Sequence, residues 1–181
     1  KPHKYYIDGE EMISATTFIG KFKEKFEEDY WSKRKAKERG ITQKEILAEW
    51  KHKALTSTEK GTAFHEYAEN YLTNRIFPYP EKRINSVLGE GNDVKERFDK
   101  LVKLFDKFYE DSYGKLIPIR AELVVGDKEL GICGMVDQLF FNEKSNKLEI
   151  WDWKTNKKID KSNRWQNFKE PVSHLDVCEL N

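Results

Sequence analysis

The sequence predicts a single α/β domain over residues 1–181, and three observations carry that expectation. Residues 1–114 hold apolar side chains at helical spacing. Residues 115–181 change to shorter apolar runs divided by polar turns. The links between those runs are too short for a crossover helix. They therefore read as a three-stranded antiparallel meander with the N-terminal helices packed on it. A chain of this length can bury a core without disulfides or a structural metal.

Ser14 is a candidate N-cap for a first helix carrying Phe18, Ile19, Phe22, Phe26 and Tyr30. The polar stretch Lys33 to Arg39 continues it, and Gly40 is a natural stop. Thr42 and Glu45 make a capping box for a second helix, with Ile46, Leu47 and Trp50 on its buried face. Thr58 is read as the cap of a third, running to about Asn74. Its stripe is Phe64, Tyr67, Ala68, Tyr71 and Leu72. Pro78 and Pro80 mark an irregular link. Asn92 or Asp93 opens a fourth helix with Val94, Phe98, Leu101, Phe105 and Phe108 on one side, ending near Gly114. The strands are then Leu116 to Val125, Leu130 to Phe141 and Leu148 to Lys154. Gly126-Asp127-Lys128 and Asn142 to Lys147 are the turns.

Charged residues make up 36% of the chain and hydrophobic ones 38%. The signs cancel: 33 Lys and Arg against 32 Asp and Glu leave a net charge of +1. That excludes a long-range cationic field. A polyanion partner has to be held by a local patch or through bound metal ions. No apolar run approaches the about 18 residues of a membrane span, and no signal peptide is read at the N-terminus. An intracellular, cytoplasmic location is the expectation. The two cysteines, Cys133 and Cys178, cannot build a disulfide framework.

The stretch Asp152-Trp153-Lys154-Thr155 closes the third strand. Side chains alternate along a strand, so Asp152 and Lys154 share a face with Leu148 and Ile150, while Trp151 and Trp153 take the other. A face that turns from apolar to charged leaves the core for a cleft or solvent. Asp137 lies inside the apolar run Ile132 to Phe141. A buried carboxylate needs a partner or a metal. The neighbouring strand brings Asp152 towards it, and Glu122 on the preceding strand offers a further oxygen. Such a set suits a hard cation, Mg²⁺ or Mn²⁺. Lys154 beside that cation is placed to orient a water for attack on phosphorus. The plainer reading of Asp137 is a strand-edge carboxylate paired with Lys or Arg. On the third helix Gly61, His65 and Glu69 recur every four residues beside the apolar stripe. His65 can supply a nitrogen ligand, and Gly61 permits close approach. As a boundary histidine or a surface pair, His65 and Glu69 carry no function.

These residues, in this order, resemble the RecB-like branch of the PD-(D/E)XK nuclease superfamily. That group includes small phage exonucleases, mitochondrial genome-maintenance exonucleases and CRISPR-associated RecB-like exonucleases. The pattern is Gly61-x-x-x-His65-x-x-x-Glu69, Glu122, Gly134-x-x-Asp137 and Asp152-x-Lys154-Thr155. The likeness spans roughly Ser14 to Lys158. It implies a core of helix, meander, helix and final strand. It implies Mg²⁺ or Mn²⁺ held by His65, Asp137, Asp152 and the Trp153 carbonyl. Lys154 would orient the attacking water, Glu122 would assist, and Gly61, Glu69 and Thr155 would support. It implies a DNA exonuclease of replication, repair or recombination, with a phage-infected host cell as one setting.

Two departures stand out. The Gln-x-x-x-Tyr motif of many relatives is missing, since Gln166 is followed four residues on by Glu170. A C-terminal truncation is therefore the expectation. The cluster cysteines of the CRISPR-associated members are also absent, so no iron–sulfur cluster is expected. Lys157, Lys158, Lys161 and Arg164, with Trp165 beside them, form a local patch suited to phosphate contact and single-strand stacking, or else a solvated basic loop. Two other functions fit the same residues: an endonuclease acting on RNA or structured DNA, and a catalytically idle nucleic-acid-binding module.

Overall fold

The structure, a computed structural model, describes residues 4–74, 92–156 and 168–169. The elements run β1 (Tyr5–Ile7), β2 (Glu10–Ser14), α1 (Ala15–Gly20), α2 (Glu28–Arg39), α3 (Gln43–Asn74), α4 (Asn92–Ser112), β3 (Leu116–Asp127), β4 (Ile132–Asn142) and β5 (Lys147–Trp151). The fold is mixed α/β. Its five strands make a mixed sheet, ordered β1-β2-β4-β3, with β5 also pairing β4. The chain divides into two compact units. One draws on Lys1–Trp31, Val124–Met135 and Asn156–Asn181, the other on Ser32–Leu123 and Val136–Thr155.

The first unit begins with a hairpin where only helix was expected. Ile7 pairs with Glu10 across Asp8 and Gly9, whose φ values are 51° and 86°. Two consecutive positive φ angles define a type I′ turn, and Asp-Gly is its preferred sequence. β2 then pairs in parallel with β4, Ile13 against Ile132 and Ser14 against Cys133. Ser14 does cap a helix: its Oγ accepts the Thr17 N–H at 3.1 Å. That helix stops at Gly20 and does not carry Phe22 or Phe26. The Phe22 carbonyl instead accepts the Lys169 N–H at 2.7 Å, and Lys23 bridges to Phe168. A backbone pairing has overridden the apolar spacing. Gly126, expected in a turn, lies within β3. A Cβ there would sit 2.9 Å from the Cys133 Cβ and 3.0 Å from the Ile132 carbonyl oxygen, so only glycine fits this close strand approach.

The second unit holds the main core. The Thr42–Glu45 capping box forms as read: Glu45 Oε2 accepts the Thr42 N–H at 2.7 Å and Thr42 Oγ1 accepts the Glu45 N–H at 3.2 Å. The helix it opens does not break at Thr58. It continues as one 32-residue element, α3. Hydroxyls that could cap a new helix bond back within this one, as Thr62 Oγ1 does to the Thr58 carbonyl. The stripe Ala63, Phe64, Tyr67, Ala68 and Leu72 is buried against Phe98 and Phe105 of α4 and Phe140 of β4. Gly114, at φ 71°, follows α4 and frees the chain to enter β3.

β5 pairs antiparallel with β4, Gln138 opposite Trp151 and Leu139 opposite Ile150. It ends at Trp151, short of the expected Lys154. The expected face is also reversed. Leu148 and Ile150 are exposed, whereas Trp151 and Trp153 pack against Phe105, Phe108 and Phe140. The larger apolar area of the indoles decides which side turns inward. Pro78, Pro80, Val94, the patch residues Lys157, Lys158, Lys161, Arg164 and Trp165, and the Gln166 and Glu170 positions lie outside the described residues or side chains.

Candidate metal centre

Three elements of the second unit converge on one spot. α3 supplies His65, β3 supplies Glu122 and β4 supplies Asp137. One ligand atom from each lies within 4.8 Å of the other two. At an effective dielectric of about 20, ionised carboxylates that close repel by about 3 kcal/mol or more. A divalent cation turns that repulsion into attraction.

Each group is aimed by its local structure. His65 flanks the stripe that buries Phe64 and Ala68, so its ring is only 33% exposed. Glu122 has φ 48°, a left-handed conformation rare for a long side chain. The exposure alternation of β3 fails at the same point, since Glu122 and Leu123 are both half-buried. Such an irregularity re-aims a side chain, and the conformation costs on the order of 1–2 kcal/mol. Strain of this kind is found where a group is held for a task.

Asp137 is closely enclosed, its side chain 10% exposed. Its Oδ2 accepts the Trp153 N–H at 2.7 Å, and its Oδ1 lies 3.6 Å from His65 Nδ1. The other ring nitrogen, Nε2, is 3.1 Å from the Trp153 carbonyl oxygen. A carbonyl only accepts, so Nε2 carries a proton, and in the neutral ring the Nδ1 lone pair is the one on the Asp137 side. One imidazole nitrogen and two carboxylates fit a hard divalent ion, Mn²⁺ or Mg²⁺.

The sequence reading named His65, Asp137 and Asp152 as side-chain ligands. The structure brings His65 and Asp137 together with Glu122. Asp152 is 55% exposed, and its Oδ2 accepts from Lys154 Nζ at 2.6 Å. It is no member of the ligand group found among the described residues. Trp153 joins through its backbone, with its N–H on Asp137 and its carbonyl on His65. Thr155 Oγ1 is 3.7 Å from where a Cβ on Gly61 would stand, so helix and strand end approach closely there. Glu69, one turn beyond His65, is half-buried and outside the ligand group among the described residues.

Sequence reasoning missed Lys60. Its Nζ donates to the Thr155 carbonyl at 3.2 Å across 95 residues of sequence. Only its place beside Gly61 pointed to it. Comparison with protein-family models, curated proteins and solved structures finds no match to this chain.

Proposed function

We propose that the protein is a metal-dependent nuclease, an exonuclease preferring single-stranded DNA. The observation that carries this reading is the convergence of His65, Glu122 and Asp137 within 4.8 Å. The resemblance of the surrounding motifs to RecB-like nucleases adds the substrate class and a role in replication, repair or recombination.

Bound at these three residues, Mg²⁺ or Mn²⁺ supplies Lewis-acid polarisation of a phosphate oxygen and acidification of a water. The chain's own groups do the rest. Asp137 is held by the Trp153 N–H, which leaves Oδ1 facing His65. The Trp153 carbonyl fixes the His65 tautomer. Lys154 and Asp152 form an exposed pair just past β5. Lys154 holds the attacking water, and Asp152 keeps the ammonium oriented. Lys157, Lys158, Lys161, Arg164 and Trp165 are proposed to contact the strand being degraded.

The test is hydrolysis of end-labelled single-stranded DNA by the chain with Mn²⁺ or Mg²⁺. Cleavage should need the ion and vanish in Asp137→Asn and Lys154→Met. Cutting of circular single strands would replace the exonuclease with an endonuclease. Full activity in both variants would end the assignment.

A further inference from the structure

The segment after β5 leaves the sheet and lies along α3. Its backbone meets the helix at two levels. The Trp153 carbonyl faces His65, and two residues on, the Thr155 carbonyl accepts from Lys60. Two extended residues advance about 6.6 Å, and the five helix positions between Lys60 and His65 span about 7.5 Å. The two contacts are therefore in step, one on each side of Lys154. Exposure alternates along the segment: Trp153 and Thr155 are half-buried on the helix side, Asp152 and Lys154 exposed on the other.

Among the described residues the β4–β5 register ends at the pair Gln138 and Trp151. Asp137 fixes it at the Trp153 N–H. Beyond that bond, Lys60 supplies a charged donor to the carbonyl of Thr155. Lys60 is half-buried, so its bond to the Thr155 carbonyl is shielded and charge-assisted.

From this geometry we infer that Lys60 is a positioning residue: by anchoring the Thr155 carbonyl to α3 it sets where Lys154 stands. It is not a ligand and touches no reacting atom. This inference rests on the nuclease reading for its kinetic consequence, but its structural consequence is independent.

Two variants separate the donor from the stem. Lys60→Met keeps the apolar stem and removes the ammonium; Lys60→Arg keeps a cationic donor. Hydrogen exchange of the full chain, read on peptides covering Trp151–Asn156, should quicken about tenfold in Lys60→Met and stay near wild type in Lys60→Arg. Exchange in the core peptides of α4 should not change. With Mn²⁺ and single-stranded DNA, kcat of Lys60→Met should fall about tenfold or more at nearly constant KM, with recovery in Lys60→Arg. Unchanged exchange over Trp151–Asn156 would overturn the inference, even for a chain that cleaves nothing. A change in KM alone would overturn it in favour of direct phosphate contact. Quickened exchange in a wild-type background that never cleaves would uphold the anchor and defeat only the nuclease reading.

Discussion

Helix α3 carries two regions built on opposite principles. One face, Phe64, Tyr67, Ala68 and Leu72, is held by area. Its rings meet those of α4, as Phe105 does with Phe64, Tyr67 and Tyr71 at 5.2–6.0 Å between centroids. A second set of positions, Lys60, Gly61 and His65, buries little and is held by a few directed contacts to backbone and carboxylate. Apolar burial is non-directional and large, so it makes a fold. Hydrogen bonds give little net energy but fix atoms, so they make a site. Substitutions should therefore separate the two sets, one by stability and the other by chemistry.

The sharpest separation is at Phe105, 3% exposed in the core. Phe105→Ala should cost about 3–5 kcal/mol in denaturant unfolding, and a loss under about 1 kcal/mol would break the contrast. His65→Ala should do the reverse. Its unfolding midpoint should move little, while metal-dependent cleavage should drop by about a hundredfold or more, since the ligand set loses its nitrogen.

Glu122 tests the strained member. At φ 48° a glycine is at ease and an alanine is not. Glu122→Gly should be more stable than Glu122→Ala by about 1 kcal/mol, and both should lose any rise in Tm with Mn²⁺. Equal stability of the two variants would mean that the left-handed backbone is not what aims this carboxylate.

The smallest effect concerns pH. Tyr67 is buried and donates to Asp106 Oδ1 at 2.8 Å. Burial first, and then the Asp106 contact, raise its phenol above the ordinary value of 10.0. A raised folded pKa means that the neutral phenol stabilises the fold. That contribution is whole below pH about 10 and is lost as pH rises beyond it. Relative to Tyr67→Phe, the wild type should lose about 1 kcal/mol between pH 9 and 11 in thermal unfolding. Parallel pH curves for the two proteins would contradict the assignment.

The area-driven region was the more legible in sequence. The stripe on α3, the α4 face through Phe98 and Phe105, and the Thr42–Glu45 box are local patterns with a fixed period. The Asp8-Gly9 hairpin is an equally local signal, an Asp-Gly pair at a type I′ turn. For β5 alternation pointed the wrong way: Leu148 and Ile150 mark one face as apolar, while the other carries Lys147 and Glu149 and turns inward only through Trp151 and Trp153. His65, Glu122 and Asp137 were recognisable as residue types. That Glu122 stands with them depends on one backbone angle, and the Lys60 anchor joins two residues 95 apart in the sequence. Neither leaves a periodic trace.

One measurement bears most directly on the central claim, that His65, Glu122 and Asp137 hold a divalent ion. It is a calorimetric titration of the chain with Mn²⁺ near pH 7. The account predicts one site per chain, weakened severalfold or more in Asp137→Asn and in Glu122→Gln. No saturable binding, or binding that persists unchanged in both variants, would contradict it.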